Sequence, residues 1–336
     1  MKIINRWRSI IKNSKRKKGT GVSSFKQVSE DCFVLIHIGD KPVPGYAVDA
    51  IEQIRLFGNE QIIFICERKS RADQTGIEDM ADIVCIEDIP VSKKHYEYIR
   101  KMAMEGFVQY TTERFFFLEE AMEFLGLRNV VHIENDVLVY GNVHDIYRKL
   151  STDSGRIILT RHNNDECIGG MIYVPNVGAI GRYTDFLCSN YLGVYINDMR
   201  SLSEFAKRNP VDYAPVITKG YYEQYGLKSV EGNEYDNTYP AEAFYNEDIK
   251  PLFDAAALGQ YIGGIDKIHD KRDTRGYINT NCLYNPSRMK IFWKRVPEGY
   301  APFITDNNTD HPVMNLHIHS KELNRYRSDR IQVNKT

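Results

Sequence analysis

Phe33-Val34-Leu35-Ile36-His37-Ile38 is an unbroken apolar run closed by Gly39-Asp40, and it predicts a strand buried on both faces. Tyr46, Ala47, Ala50, Ile51, Ile54 and Phe57 then recur at helical spacing, and Gly58-Asn59 stops them. Ile62-Ile63-Phe64-Ile65-Cys66 and Ile83-Val84-Cys85-Ile86 read as two further buried strands. A long helix follows, with Phe115, Phe116, Leu118, Ala121, Met122 and Leu125 on its inner side and Gly126 at its end. Val130-Val131-His132-Ile133 is the next strand. Strands alternating with helices predict an α/β fold: a mainly parallel, Rossmann-like sheet covered by helices. In such sheets ligands bind beyond the carboxyl ends of the strands.

The second half is less regular. Ile157-Ile158-Leu159 and Met171-Ile172-Tyr173-Val174 read as strands, and residues 176–250, rich in Tyr, Asn and Asp, carry two helical stretches. No linker interrupts this region, so residues 31–325 are expected to form a single domain, with 326–336 as a C-terminal tail. Residues 1–30 stand apart. Ile3, Ile4, Trp7, Ile10 and Ile11 share one helical face, and eight basic residues with no acid precede residue 19. This basic amphipathic pattern suits an anionic membrane surface, and equally a helix packed on the body or on another subunit.

The 336 residues are 42% hydrophobic and 26% charged, an ordinary soluble composition. The net charge is −1, so the chain beyond the basic end carries about −9, which argues against a nucleic-acid-binding body. No run reaches transmembrane length and no cleavable signal peptide is evident. The six cysteines show no paired spacing, so they are expected to be reduced packing residues of a cytoplasmic protein, peripheral at the membrane if the basic segment binds there.

Candidate chemistry begins at Glu134-Asn135-Asp136, two carboxylates set in an apolar β-run. Burying them is costly without compensation, and a divalent cation supplies it. The same three residues also suit a turn between strands. Asn315-Leu316-His317-Ile318-His319-Ser320-Lys321 puts two imidazoles on one face of a strand, followed by a lysine. Neutral imidazole ligates Mn²⁺, and lysine meets phosphate as a point charge. His319 is favoured slightly over His317 because it is nearer Ser320 and Lys321; two unligated surface histidines are the alternative. Asp254 opens an Ala-rich, Gly-rich stretch through Asp266 that contains Gln260. Its carboxylate suits either a helix cap or a group acting on substrate. Arg68 reads as a surface charge, and Asp165 and Glu166 either touch sugar hydroxyls or end a strand.

In their order along the chain, these segments resemble the GT-A-fold, metal-dependent nucleotide-sugar glycosyltransferases over most of residues 31–325. The resemblance implies an acid-x-acid motif holding Mn²⁺ or Mg²⁺ against the donor diphosphate, with Glu134 standing where the usual residue is Asp. It implies a metal site of Asp136 completed by His319 or His317, and Lys321 on the diphosphate. It places His37, Gly39 and Asp40 at the nucleotide, and Asp254 with Gln260 near the acceptor or anomeric carbon. The implied activity is transfer of a sugar from a nucleotide-diphosphate sugar to a glycan, lipid-linked or protein acceptor, with no nucleic-acid partner. Two alternatives are a sugar-phosphate nucleotidyltransferase, against which the two prolines of Gly39–Gly45 count, and a non-catalytic glycan-binding or membrane-associated protein.

Overall fold

The computed structural model describes residues 30–331 apart from 40, 59–60, 72–75, 103–105, 154, 238 and 267–271. The basic N-terminal segment and Asp40 lie outside the described residues. The first half runs β1 (Cys32–His37), α1 (Gly45–Leu56), β2 (Gln61–Cys66), the short α2 (Arg68–Arg71), β3 (Asp82–Cys85), α3 (Lys93–Lys101), α4 (Phe107–Leu125) and β4 (Val130–Ile133). Alternate residues of β1 feed two cores. Phe33 and Leu35 pack with Ala47, Ala50, Ile51 and Ile54 of α1. Cys32, Val34 and Ile36 pack with Phe115, Phe116, Leu118 and Met122 of α4. Strands covered on both faces read as continuous apolar runs, because each residue meets one core or the other. Each large side chain so buried contributes about 1.5–3 kcal/mol. Gly126 ends α4 in the left-handed conformation at φ +70°, a conformation glycine adopts without steric cost.

The chain continues through β5 (Val137–Val139), α5 (Val143–Leu150), β6 (Ile158–Arg161), β7 (Cys167–Val174), α6 (Val177–Asn190), α7 (Asp198–Arg208), β8 (Asp212–Ala214) and α8 (Lys219–Tyr225). Then come α9 (Leu258–Gly263), β9 (Lys290–Val296), β10 (Gly299–Asp306), β11 (Thr309–Pro312) and β12 (Asn315–His317). The central sheet has the order β3-β2-β1-β4-β7-β6-β8. It is the expected helix-covered, mainly parallel sheet, with β7 antiparallel to both β4 and β6. From β1 the chain moves through β2 and β3 on one side and returns to β4 on the other. That reversal makes the carboxyl ends of β1 and β4 a topological switch point, the place where open α/β sheets bind ligands.

Several elements differ from expectation. The described residues of 176–250 hold three α-helices, not two. β9, β10 and β11 form a separate antiparallel sheet, and the half-exposed β9 mixes Lys290, Lys294 and Arg295 with Phe292 and Trp293. Residues 326–331 are part of the body and not a tail. Arg327 is buried and pairs with Asp49 of α1, while Ser328 exchanges hydrogen bonds with the buried Gln53 side chain. None of the six cysteines forms a disulfide, and five of them are buried.

Candidate metal centre

Glu134 and Asp136 occupy a turn between β4 and β5, closed by a Val137 N–H donating to the Glu134 carbonyl at 3.2 Å. The stretch is thus both a turn and a pair of inward carboxylates. β12 lies antiparallel on β5, with His317 opposite Val137. An Ile318 N–H donates to the Asp136 carbonyl at 2.9 Å. This pairing brings two remote segments to one point. His317 Nε2 lies 3.1 Å from Glu134 Oε2 and 3.2 Å from Asp136 Oδ2. One ligand atom from each of these three residues falls within 4.8 Å of the others. Two carboxylates and an imidazole are a donor set that suits Mn²⁺, and they fit Mg²⁺ less well because it prefers oxygen.

The cluster extends at both ends. Lys321 donates to Asp136 Oδ2. Arg114 of α4 donates to Glu134 Oε1 and, at 2.6 Å, to Asp198 Oδ2 at the start of α7. The order Asp198, Arg114, Glu134, His317, Asp136, Lys321 therefore alternates acid and base. Burial would raise both carboxylates of the pair, but nearby cations outweigh it. Arg114, then His317, holds Glu134 below the usual carboxylate range. His317, then Lys321, holds Asp136 far below it. Burial would lower His317, yet Asp136 and Glu134 raise it to about 10. The protonated ring is the cation that the two carboxylates require in the absence of a metal.

His319 sits outside this trio. Its ring centre is 4.3 Å from that of His317, and Gln260 Nε2 lies 3.1 Å from its Nδ1. Burial, then the charge on His317, lowers His319 to about 3, so its ring is neutral. The geometry thus turns the slight preference for His319 toward His317. Gln260 is 6% exposed, and its Oε1 has no hydrogen-bond partner among the described residues.

Asp254 is not open to a substrate. Its Oδ1 accepts N–H bonds from Ala257 and Leu258, and its Oδ2 accepts from Gly259 and His317, all between 2.8 and 2.9 Å. The capping alternative describes this carboxylate better than the expected catalytic one, because four donors fill both oxygens. The bond to His317 N–H ties the start of α9 to the strand that carries the imidazole. Two non-glycine residues with left-handed backbones, Ala256 at φ +60° and Lys321 at φ +63°, flank this tie. Such strain persists where surrounding structure over-determines it.

Gly169 and Gly170 of β7 face the cluster. A Cβ on Gly169 would lie 2.7 Å from Arg114 Nη2, and one on Gly170 would lie 2.8 Å from His317 Nδ1 and 3.1 Å from Glu134 Oε2. The pair is glycine because the charged side chains approach the backbone that closely.

The other expected residues fall as follows. His37 is the last residue of β1, opposite Cys66 of β2, and Gly39 follows two residues later. His37 Nε2 is 3.1 Å from the Lys41 carbonyl, and the Gly39 N–H donates to Glu67. Arg68 pairs with Asp88 at the surface, 2.6 Å away. Asp165 and Glu166 line a cavity of about 530 Å³ with Tyr195, Asn197, Arg200 and Glu204. Asn197 precedes Asp198, so this cavity adjoins the Arg114 end of the cluster. His132 is a core residue with Nδ1 3.0 Å from the Val34 carbonyl; burial, then Arg114, lowers it to about 3. Arg114 and Asp198 escaped the sequence reading. Their one signal is an arginine breaking the Phe-rich inner face of α4.

No protein-family model matches the chain, and a comparison with curated proteins finds no match. Among solved structures it is similar to mouse xyloside xylosyltransferase 1 in its apo form, at 11% identity, covering 57% of this chain and 86% of that one, with a TM-score of 0.39. It is also similar to the PaToxG glycosyltransferase, at 12% identity, 61% and 77% coverage and a TM-score of 0.40. The galactosyltransferase LgtC with donor and acceptor sugar analogs matches at 10% identity, 57% and 77% coverage and a TM-score of 0.37. Likeness at this level assigns neither a family nor a substrate.

Proposed function

We propose that the protein is a metal-dependent glycosyltransferase that moves a sugar from a nucleotide-diphosphate sugar to a hydroxyl of a glycan, lipid-linked or protein acceptor. The observation that supports this reading is the convergence of Glu134, Asp136 and His317 just beyond the carboxyl end of β4, with Lys321 beside them. A bound Mn²⁺ or Mg²⁺ would neutralise charge on the departing diphosphate, as Lewis acid and template.

In this reading Asp136 and His317 are the principal metal ligands. Glu134, already held by Arg114, contributes less to the metal and more to the donor. Lys321 leaves Asp136 to contact phosphate. His37, Gly39 and Asp40 take the nucleoside side. Asp254 positions His317 through its backbone, and Gln260 offers its unpartnered amide oxygen beside His319. The cavity at Asp165 and Glu166 receives sugar hydroxyls. The acceptor oxygen bonds to the anomeric carbon as that carbon's bond to the diphosphate oxygen breaks. The electron pair leaves with the nucleoside diphosphate, and the hydroxyl proton goes to solvent. Charge builds on the leaving diphosphate, where preorganised cations assist most.

The test is a thermal-shift screen of UDP, GDP and CDP sugars with and without Mn²⁺, followed by product detection with the stabilising donor. Metal-dependent stabilisation and sugar transfer support the reading. Formation of a nucleotide sugar from a sugar phosphate and a nucleoside triphosphate would replace it with nucleotidyl transfer. Binding without turnover would replace it with a binding protein.

A further inference from the structure

The edge of the central sheet that carries the metal centre continues past it. β6 runs parallel to β4, because β7 is antiparallel to both. The turn from β6 to β7, residues 162–166, therefore lies on the edge where β4 presents Glu134. Asp165 and Glu166 of that turn line the cavity of about 530 Å³, opposite Tyr195, Asn197, Arg200 and Glu204. The Glu134 N–H donates to the Gly170 carbonyl at 2.8 Å, and the four residues from Gly170 back to Glu166 span about 13 Å of extended chain. Asp198 is the step between the two places. A Cβ on Gly169 would lie 3.2 Å from its Oδ2, while its neighbours Asn197 and Arg200 wall the cavity. The cavity thus lies outside the donor subsite and is reached from it along one strand.

The wall combines an aromatic ring in water with polar groups that keep spare bonding capacity. Tyr195 and Val194 are 57% and 56% exposed, the most exposed large apolar side chains among the described residues. A built turn holds them there. The Val194 N–H donates to the Tyr191 carbonyl at 3.1 Å, and the Tyr191 ring packs edge-on to Phe186 with centres 5.8 Å apart. Neighbouring apolar side chains kept in water in this way mark a surface that a ligand or partner covers. Lys207 already matches two of the carboxylates, Glu204 at 3.0 Å and Asp165 at 3.1 Å. Glu166 accepts from Asn163 through Oε2 alone, at 2.9 Å, which leaves Oε1. The Arg200 guanidinium pairs with no carboxylate among the described residues. One acceptor oxygen and one donor fork of opposite sign therefore remain, with no surplus of charge to select an ion. Neighbouring hydroxyls, which both donate and accept, suit such a pair. The Tyr195 ring suits the C–H face of a sugar, with its own hydroxyl left in water.

We propose that this cavity is the acceptor subsite and that it holds two rings of an uncharged glycan, with Tyr195 as the stacking platform and Arg200 and Glu166 as the hydroxyl-binding groups. Pockets of about 300–1,000 Å³ enclose most of a ligand of that size. The inference rests on the glycosyl-transfer reading for the word acceptor, and it narrows that reading from three acceptor classes to one. The binding of a glycan rests on the cavity alone.

The test is saturation-transfer NMR of the full chain with lactose, maltose, cellobiose and N,N′-diacetylchitobiose. No nucleotide or metal is added, so failure of the glycosyltransferase reading leaves the result intact. Tyr195→Ala and Arg200→Gln alter exposed side chains, and a thermal melt of each verifies the fold. Saturable binding of at least one disaccharide, weakened about tenfold by each substitution and kept within about twofold in Tyr195→Phe, supports the inference. Lys321→Gln should leave that binding within about twofold, because its Nζ serves the metal centre. Absence of binding by all four sugars overturns it, as does binding indifferent to both Tyr195→Ala and Arg200→Gln. Loss of binding in Lys321→Gln alone would place the sugar at the donor position and also overturns it. Association of the chain with phosphatidylcholine vesicles that Tyr195→Ala abolishes, with no sugar bound, would assign the exposed turn to a membrane and overturns it as well.

Discussion

His317 and Asp136 sit 3.2 Å apart, imidazole nitrogen to carboxylate oxygen, because β12 pairs with β5 and sets His317 opposite the residue after Asp136. Neither segment alone makes a metal centre. Their pairing is non-local, so the site exists only in the folded chain.

Asp254 should behave as an anchor. Asp254→Asn replaces one acceptor oxygen with a donor among four backbone N–H groups, and the buried mismatch should cost about 2–4 kcal/mol. A fall in thermal midpoint is expected, with weaker metal binding as His317 shifts. Unchanged stability with lost turnover would instead restore a direct role at the substrate.

Gly170 should tolerate no side chain. Gly170→Ala places a methyl 2.8 Å from His317 Nδ1, and overpacking of this kind costs about 1–3 kcal/mol. Metal affinity should drop by about tenfold or more through displacement of the ring. Unaltered affinity in metal titrations would show that His317 can move aside freely, contrary to the tight geometry.

Metal binding should release a proton. His317 is raised to about 10, so it is protonated near neutrality and must lose that proton to ligate. Apparent Mn²⁺ affinity should therefore rise by about tenfold per pH unit between about pH 7 and 9, and His317→Ala should flatten the slope. The same shift has a sign in folding. Stabilisation from protonated His317 is complete below its unfolded value near 6.5 and is lost as pH rises through about 10. Glu134 and Asp136 are lowered, so their contribution is present above the usual carboxylate range and is lost as pH falls. A pH-independent metal affinity would contradict the assigned protonation.

The basic N-terminus, outside the described residues, carries a separate expectation. Removing residues 1–24 should weaken association with anionic vesicles and leave thermal stability intact, since each basic group near such a surface contributes about 1 kcal/mol. Unchanged vesicle binding would dismiss the membrane reading, and loss of the fold would place the segment against the body.

The legible parts of the sequence were those whose environment is uniform. β1, β2 and β4 are buried from both faces, so their apolar runs announce them. β9 and β10 were illegible because a half-exposed strand such as Lys290–Val296 interleaves Lys, Arg and aromatic residues. α3, with Lys93, Lys94, Glu97, Arg100 and Lys101 in nine residues, hides its three buried positions among charges. Asp136 and His317 were each visible as chemistry, but the β5–β12 register that joins them is a tertiary fact. Arg114 went unseen because it is a single cation on an apolar helix face, and its partners Glu134 and Asp198 lie on other elements.

The central claim is one metal site built from Asp136 and His317. The measurement is Mn²⁺ affinity in the presence of a nucleoside diphosphate, for Asp136→Ala, His317→Ala and the double variant, with Glu134→Ala and His319→Ala beside them. Each of the first two substitutions should weaken binding strongly, and the double variant should lose less than the sum, since both ligands serve one ion. Glu134→Ala and His319→Ala should have smaller effects. Additive losses, or an effect of His319→Ala exceeding that of His317→Ala, would contradict the site as built here. Binding and turnover unaffected by chelation and by Asp136→Ala would contradict the metal-dependent account altogether.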